Sequence, residues 1–537
     1  MADTNDPVIS IKEGKIRGFK GTNYDGETIY EFLGIPYAKP PVNELRFKPP
    51  EPIGPWNDVR DATKPGNPSI SRDDLTRELV GNEDCLFVNV YTKYLSKHTL
   101  TLKPVMVYIH GGGLTIGSSR PGLYGPEFLL LQDIVLVTFN YRLGVLGFLS
   151  LSDESLGVPG NNGFKDQCMA LKWVQKNIKN FSGDPNNVTI FGESAGSASV
   201  HAHVLSPASR GLFHRAILQS GCCLNSWVWG SKDNARNLVK LMGKDAKNDK
   251  EALEILKTAP ALDIFNAQEK MGDVLFPAEN RPFSVVVETP NPDGFLTKSP
   301  VGIMKEGSYN QVPLVFGYTD TEGMLYDLDK MVMKQFGIPV PETKMEKYIP
   351  YELNVPATET KTICDKLEKL YKNEKNSRRY DEATDSCFLV GIIESIKMHL
   401  ATAQNPIYLY RVSICTQLNH LKRLMKKIND PGVSHADDLG YLFHTDITPD
   451  IQKNSLEERS MKTFVRLWTN FAKFGNPTPG DDLQITWEPL RNGSNLKVLD
   501  IGEKLVFKDI PESGRLDVWK QILSKFPFVR FGYINQN

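Results

Sequence analysis

A serine flanked by glycines occurs in the motif Gly-Glu-Ser-Ala-Gly at residues 192–196. A β-branched run at 188–191 precedes the motif, and a helix-like stretch at 195–204 follows it. A tight strand-to-helix turn lifts a serine hydroxyl clear of a sheet, and glycine on each side lets neighbouring backbone approach closely. The pattern predicts a nucleophile for acyl transfer at Ser194, although an ordinary Gly-Ser turn would carry the same letters.

Three glycines follow a histidine at residues 110–113, directly after the predicted strand 105–109. An acyl-transfer enzyme needs backbone N–H groups aimed at the oxygen that becomes negative. Gly112 and Gly113 are the candidates for two donors, and Ala195, next to the serine, is the candidate for a third. The alternative is a flexible glycine loop, which the presence of both motifs in the expected chain order disfavours.

A serine hydroxyl is a weak nucleophile and needs a histidine base that a carboxylate orients, in the chain order Ser, acid, His. The loop at 317–323 follows the predicted strand 312–316 and carries two acids, Asp320 and Glu322. Glu322, which is followed by glycine, is the preferred candidate. The chain order alone does not choose between the two, and both acids could be solvated loop residues.

The histidine base must lie beyond the acid, and four of the nine histidines do: His399, His420, His435 and His444. We expect the base in a loop after the predicted strand 407–410, which disfavours His399. His435 lies in the turn-rich segment 431–438, whereas His444 follows an apolar run. His435 is therefore preferred, with surface or core packing as the alternative for any one histidine.

These candidates lie on alternating strands and helices, which favour an α/β fold with a mostly parallel sheet flanked by helices. The predicted strands are 105–109, 134–138, 188–191, 216–218, 312–316 and 407–410. Residues 165–180 have the spacing of an amphipathic helix. Two polar helical stretches, at about 232–305 and 324–404, are predicted as cap insertions in one domain that spans residues 1–537.

Composition favours a globular protein that acts on a small neutral substrate. Hydrophobic residues make up 40%, and 63 basic side chains oppose 64 acidic ones, so charge gives no reason to expect nucleic acid or an anionic membrane as a partner. No apolar run reaches the length of a membrane span, and the first residues do not resemble a signal peptide. Seven cysteines without a paired pattern favour a reducing compartment, so the predicted location is the cytoplasm.

The chain resembles the type-B carboxylesterase and cholinesterase family, and within it the insect intracellular carboxylesterases. Besides the two glycine motifs, the similarity lies in the blocks at 32–41, 45–47, 83–86, 140–144 and 160–167. The resemblance implies the α/β-hydrolase fold, with Glu322 and His435 completing a triad with Ser194. It implies no metal or organic cofactor.

The resemblance also implies roles around the triad. Ser220 and Glu193 would support it by hydrogen bonds, Trp227 would line the acyl pocket, and Leu114 would help to set the pocket entrance. Ion pairs would join Arg46 to Glu83 and Arg142 to Asp166 as parts of the scaffold.

Three departures from the family pattern indicate which members of the family the chain resembles less. No cysteine precedes Cys85, so the disulfide that secreted members form there is absent. No tryptophan lies between Trp56 and Trp173, which disfavours the choline site of cholinesterases. Glutamate precedes Ser194, where juvenile hormone esterases have glutamine.

The predicted activity is hydrolysis of uncharged carboxylic esters through an acyl-serine, for turnover or detoxification of xenobiotic and endogenous esters. Organophosphates are the expected trapping inhibitors. The alternatives are a lipase, a slow esterase that sequesters esters or organophosphates, and a binding protein without activity. The sequence does not indicate an oligomeric state.

Overall fold

A computed structural model describes residues 6–95, 101–271, 281–335, 344–372 and 380–529, together with residues 340, 531, 533 and 534. Its main feature is a sheet of eleven strands. In chain order these are β1 Phe19–Thr22, β2 Thr28–Pro36, β3 Phe87–Thr92, β4 Lys103–Ile109, β5 Val135–Phe139, β6 Gly183–Glu193, β7 Arg215–Gln219, β8 Leu314–Thr319, β9 Ile407–Val412, β10 Lys497–Ile501 and β11 Leu505–Asp509.

The strands lie in the order β11-β10-β9-β8-β7-β6-β4-β5-β3-β2-β1. The seven from β10 to β5 are parallel to one another, and the strands added at both edges pair antiparallel. Short strands form three smaller sheets, at Val8–Ser10, Lys15–Arg17 and Val59–Asp61, at Ser71–Arg72 and Leu79–Val80, and at Ser231–Lys232 and Tyr533–Ile534. The prediction of a mostly parallel sheet is confirmed.

Helices surround the sheet. They are α1 Gly144–Phe148, α2 Asn162–Asn177, α3 Ala195–Leu205, α4 Ala235–Leu241, α5 Asp249–Thr258, α6 Ala261–Glu269, α7 Pro300–Glu306, α8 Leu325–Gln335, α9 Ala357–Tyr371, α10 Asp381–Thr384, α11 Val390–Leu400, α12 His420–Leu424, α13 Leu456–Phe474 and α14 Ser513–Lys525. A π-helical turn at Asp385–Leu389 joins α10 to α11.

Both faces of the sheet are buried, as in other mostly parallel sheets. Since side chains of a strand alternate between its two sides, each strand contributes to the core on both faces. On β4, Val105 and Val107 belong to one hydrophobic cluster, whereas Met106 and Tyr108 belong to the other. Helices α2 and α3 cover the first face and α13 covers the second. This burial holds the strand ends, where the site residues lie, in a rigid frame.

The structure shifts the bounds of the predicted elements but keeps their types. The strand predicted at 312–316 is β8, two residues later, and the helix predicted at 165–180 is α2 followed by a 3-10 turn at Ile178–Phe181. Both predicted ion pairs are present: Arg46 Nε lies 2.6 Å from Glu83 Oε1, and Arg142 Nη2 lies 2.7 Å from Asp166 Oδ1.

The two segments predicted as cap insertions contain helices joined by irregular stretches, of which residues 281–299 are the longest that the structure describes. The first contains α4 to α7 and the second contains α8 to α11. Residues 272–280, 336–339, 341–343 and 373–379 of these segments lie outside the described residues. That the segments are insertions in a single domain stays a prediction.

Candidate active site

Ser194 occupies the turn between β6 and α3 with φ 58° and ψ −123°, a backbone conformation that residues other than glycine rarely adopt. The glycines beside it are required by close contacts: a Cβ on Gly196 would lie 2.0 Å from Ile109 O, and one on Gly192 would lie 2.6 Å from the same atom. The Ser194 N–H donates to Gln219 O at 2.8 Å. The turn is thus fixed by backbone contacts and leaves the serine partly exposed.

The glycine loop after β4 lies against this turn. A Cβ on Gly111 would lie 3.2 Å from Ser194 Cβ, and Gly112 and Gly113 have φ values of 93° and 61°. Within the described part of the chain, neither the Gly112 nor the Gly113 N–H donates a hydrogen bond. Ala195 is the first residue of α3, where a helix leaves backbone N–H groups without internal partners. Gly112 and Gly113 line the same cavity as Ser194, and Ala195 follows it in the chain, so their role as donors stays a prediction.

The His435 imidazole contacts the carboxylate of Glu322 rather than that of Asp320. The distance from His435 Nδ1 to Glu322 Oε2 is 2.6 Å, and Glu322 Oε1 accepts the Thr319 N–H at 2.7 Å. Both side chains of the pair are almost fully buried. The structure thus brings together the histidine and the acid that were preferred from the sequence.

Asp320 has a different position. Its Oδ1 accepts the Val433 N–H at 2.7 Å, and its Oδ2 lies 3.2 Å from Arg411 Nη2. Arg411 also contacts Asp500 and Glu512, each at 2.9 Å. Asp320 therefore ties the loop before His435 to a buried ion-pair network and does not contact the imidazole.

The other three candidate histidines lie elsewhere. His399 is buried, and its Nε2 lies 2.9 Å from His201 Nε2. The ring of His444 packs against Phe128 at 5.7 Å. His420 lines the same cavity as Ser194, and burial lowers the pKa of its imidazole to about 4.

Glu193 approaches His435 from the side opposite Glu322. Its Oε1 lies 3.0 Å from His435 Nε2, without the angles of a hydrogen bond. Burial lowers the His435 pKa, but the nearby Glu193 and Glu322 carboxylates outweigh burial and raise that pKa well above its ordinary value. Burial raises the pKa of Glu193. An imidazole between two carboxylates holds a proton more readily than a free histidine does.

A buried polar cluster behind the triad was not predicted from the sequence. Asp438 Oδ2 accepts from Gln219 Nε2 at 2.8 Å and from the Tyr410 hydroxyl at 3.2 Å. Gln219 Oε1 accepts from Trp468 Nε1 at 3.0 Å. Burial raises the pKa of Asp438 to about 7. Since Gln219 also binds the Ser194 N–H, this cluster joins the nucleophile turn to the histidine loop.

A cavity of about 280 Å³ opens above the serine. Its wall includes Gly111, Gly112, Gly113, Glu193, Ser194 and His435, and farther out Asp74, Leu75, Arg77, Ile116, Leu123, Tyr124, Leu325, Leu328, Asp329, Met331, Val332, His420, Leu421, Leu424, Ala436, Leu439, Thr445 and Ile447. The outer residues were missed by the sequence interpretation. On α8, the apolar spacing of Leu325, Leu328 and Val332 was a signal that could have indicated one face.

Two predicted pocket residues, Trp227 and Leu114, and the predicted supporting residue Ser220 lie outside this wall. Trp227 is buried, and its Nε1 donates to Cys387 O at 2.8 Å, while its ring edge lies 3.2 Å from the position of a Cβ on Gly221. Leu114 is 1% exposed with φ 63°. Ser220 is buried, and its hydroxyl has no hydrogen-bond partner among the described residues. The predicted roles of all three stay predictions.

Among the residues that the structure describes, no group of three or more His, Cys, Asp or Glu side chains could hold a metal ion. No helix in the described ranges is both long and apolar enough to cross a membrane.

Comparison with known proteins gives the class. The sequence model of the carboxylesterase family matches residues 5–519, so the chain belongs to that family. It is a carboxylic ester hydrolase with the α/β-hydrolase fold.

The relatives include insect esterases. The chain is 34% identical to esterase B1 of Culex pipiens over 532 residues, covering 95% of this chain and 97% of that protein. It is 34% identical to juvenile hormone esterase of Tribolium castaneum, covering 97% and 93%. A crystal structure of juvenile hormone esterase from Manduca sexta with OTFP covalently attached is similar with a TM-score of 0.85 and 30% identity, covering 97% of this chain and 100% of that one.

Proposed function

We propose that the protein hydrolyses uncharged carboxylic esters through an acyl-enzyme on Ser194, with His435 as base and Glu322 as its orienting acid. The observation that carries the proposal is the 2.6 Å contact between His435 and Glu322 in the wall of the cavity that exposes Ser194. A buried carboxylate that holds one imidazole nitrogen leaves the other nitrogen to exchange a proton with a hydroxyl.

In the acylation step, neutral His435 takes the proton of Ser194 while Oγ attacks the ester carbonyl carbon. The N–H groups of Gly112, Gly113 and Ala195 would donate to the oxyanion of the tetrahedral intermediate. His435 then gives its proton to the leaving alcohol as the carbon–oxygen bond breaks. In the second step, His435 activates a water that releases the acid and restores the serine.

The apolar outer wall of the cavity supports uncharged xenobiotic or endogenous esters as substrates, and detoxification as the role. Organophosphates would phosphorylate the same serine and act as trapping inhibitors. We place the protein in the cytoplasm, because all seven cysteines are free thiols, which a reducing compartment maintains.

Slow turnover with sequestration of the ester is the second candidate, and the environment of His435 favours it. Two carboxylates raise the pKa of His435 well above its ordinary value, and a protonated imidazole cannot activate water. Because neutral His435 must also activate Ser194, acylation and deacylation would both be slow, and the ester would stay in the cavity for longer than in a fast esterase.

Stopped-flow release of p-nitrophenol from p-nitrophenyl butyrate tests both candidates. We expect a burst equal to the enzyme concentration followed by steady turnover, and both signals should disappear in Ser194→Ala and His435→Ala. Ser524→Ala, which removes a surface hydroxyl, is the matched control and should behave as wild type. A slow burst with negligible steady turnover would favour sequestration. Release no faster than in Ser194→Ala would contradict the proposed esterase and favour a binding protein without activity.

A further inference from the structure

Four polar side chains interrupt the apolar part of the cavity wall. Leu325, Leu328, Met331 and Val332 of α8 line this part together with Leu421, Leu424, Leu439 and Ile447. Asp74, Arg77, Asp329 and His420 line the same cavity. They come from three separate segments of the chain, and none belongs to the triad or to the glycine loop.

Two of these side chains have buried polar atoms without partners. Asp329 Oδ2 and His420 Nε2 are inaccessible and form no hydrogen bond within the described ranges. A buried polar atom without a partner destabilises a protein, because it has lost its hydrogen bonds to water. A ligand that supplies a hydrogen bond to either atom would remove that penalty.

The four side chains mix both signs of charge, because one guanidinium, Arg77, lies in the same wall as two carboxyl groups, Asp74 and Asp329. The Arg77 charge lowers the pKa of both Asp74 and Asp329, but burial is the stronger effect and raises each to about 6. No carboxylate of the described chain lies within 4.0 Å of the Arg77 guanidinium. Burial keeps His420 neutral at physiological pH.

This mixture of charges in a buried wall determines which ligand group fits. A charged ligand group would lose its hydration there and would also meet a like charge, because Arg77 repels an ammonium group and Asp74 and Asp329 repel a carboxylate. A neutral amide or hydroxyl can donate to a carboxylate and accept from a guanidinium or an imidazole. Asp329 and His435 line the same cavity, so one substrate can contact both of them.

We propose that Asp74, Arg77, Asp329 and His420 form a polar subsite that selects neutral esters carrying a second hydrogen-bonding group, an amide or a hydroxyl, away from the scissile bond. The inference rests on the proposed function, since it assigns the substrate class of the same cavity. A purely apolar ester would leave Asp329 Oδ2 and His420 Nε2 without partners.

Four p-nitrophenyl esters of similar length test the subsite: the nonanoate, the 6-acetamidohexanoate, the 6-(trimethylammonio)hexanoate and the monoester of heptanedioic acid. We expect kcat/KM for the acetamido ester to exceed those for the other three by about 10-fold, the effect of one hydrogen bond to a buried group. Preference for the cationic or the anionic ester, or for the nonanoate, would overturn the proposal.

Single-residue variants test which side chains cause the preference for the acetamido ester over the nonanoate. Asp329→Leu and His420→Phe should each reduce the ratio of acetamido to nonanoate kcat/KM to near one, whereas Asp329→Asn should keep most of it, because an amide can also donate and accept. Asp327→Asn is the matched control on α8, since its carboxylate lies 3.0 Å from Lys427 Nζ and outside the cavity wall. A ratio unchanged in Asp329→Leu and His420→Phe would overturn the assignment.

Measured ligand affinity tests the polar subsite independently of the proposed esterase activity. Calorimetry on Ser194→Ala measures the affinity of the intact acetamido and nonanoate esters without turnover. The same preference of about 10-fold in Kd should appear there and be lost when Asp329→Leu is added. Binding without preference would contradict the subsite even if hydrolysis is observed. Preferential binding together with inactive wild-type enzyme would support the subsite and contradict the proposed esterase.

Discussion

The floor of the cavity, where Gly112, Glu193, Ser194 and His435 lie with Glu322 behind His435, differs from its wall on α8. On the floor, backbone hydrogen bonds and glycine contacts fix the groups, as the 2.8 Å bond from the Ser194 N–H to Gln219 O illustrates. On the wall, apolar side chains surround Asp329, whose Oδ2 has no partner among the described residues. On the floor the groups are held in position before a ligand binds, whereas on the wall the proposed subsite would give Asp329 Oδ2 a partner only when a ligand binds.

This difference separates two kinds of effect on the reaction. A change on the floor removes interactions that form in the transition state and should reduce kcat. A change on the wall alters contacts that ester and transition state share, so it should act mainly on kcat/KM for particular esters.

Glu322→Gln should have the largest effect. A glutamine can no longer stabilise the imidazolium, and we expect kcat to decrease by about 10³- to 10⁴-fold. Asp320→Asn is the matched control two residues away, because Asp320 contacts Arg411 and not His435. Steady-state hydrolysis of p-nitrophenyl butyrate measures both variants. Equal losses would show that loop structure, and not the contact with His435, explains the effect.

Gly112→Ala should come next. A Cβ at this position would lie 2.3 Å from Ile116 O, so the loop must shift and the N–H donor must move. The loss of one oxyanion donor typically lowers kcat by about 10²- to 10³-fold. Gly26→Ala has a similar positive φ of 81° but no atom within 4 Å of the added Cβ, and its kcat should stay near the wild-type value. Comparable losses in the two variants would argue against a donor role.

Val332→Trp should act on the wall alone. The indole would fill part of the cavity, and we expect kcat/KM for p-nitrophenyl hexanoate to decrease by about 10-fold, with the acetate nearly unaffected. Lys334→Trp adds the same indole on α8 at an exposed position outside the cavity wall and serves as the control. If kcat/KM decreases equally for the acetate and the hexanoate, Val332→Trp also disturbs the residues of the floor, and its effect is not confined to the wall.

Glu193→Gln should leave the maximum value of kcat/KM nearly unchanged and shift its pH dependence. The Glu193 carboxylate raises the pKa of His435, so its removal lowers that pKa. Because the base acts when neutral, the acidic limb of kcat/KM should shift to lower pH. A pH series of kcat/KM measures the shift, and Glu306→Gln, which changes an exposed carboxylate, is the control. A shift toward higher pH, or none, would contradict the placement of Glu193 beside His435.

Much of the floor could be predicted from the sequence, because its parts are local. The nucleophile turn needs a strand, glycines at fixed offsets and a helix, and all of these are visible between residues 188 and 204. The choice between Asp320 and Glu322 needed the family resemblance. What separates the two acids is the contact of Asp320 with Arg411, which lies on another strand, and no local pattern reports such a contact.

The wall could not be predicted in the same way. Asp74, Asp329 and His420 are far apart in the chain, and each by itself resembles an ordinary surface residue. Only the packing of α8 over the sheet places them in one cavity. The approach of Glu193 to His435 Nε2 is equally non-local, because it depends on where a loop more than 200 residues later returns.

The backbone angles of Ser194 also have an evolutionary consequence. A non-glycine residue at φ 58° and ψ −123° costs about 1–3 kcal/mol, whereas the added freedom of glycine in the unfolded chain costs about 0.4–1 kcal/mol. Exchange of Ser194 for glycine would therefore make the fold more stable while it removes the nucleophile. Without selection for turnover, this substitution would carry no cost in stability, so a binding protein without activity differs from the enzyme by one residue and needs no compensating change.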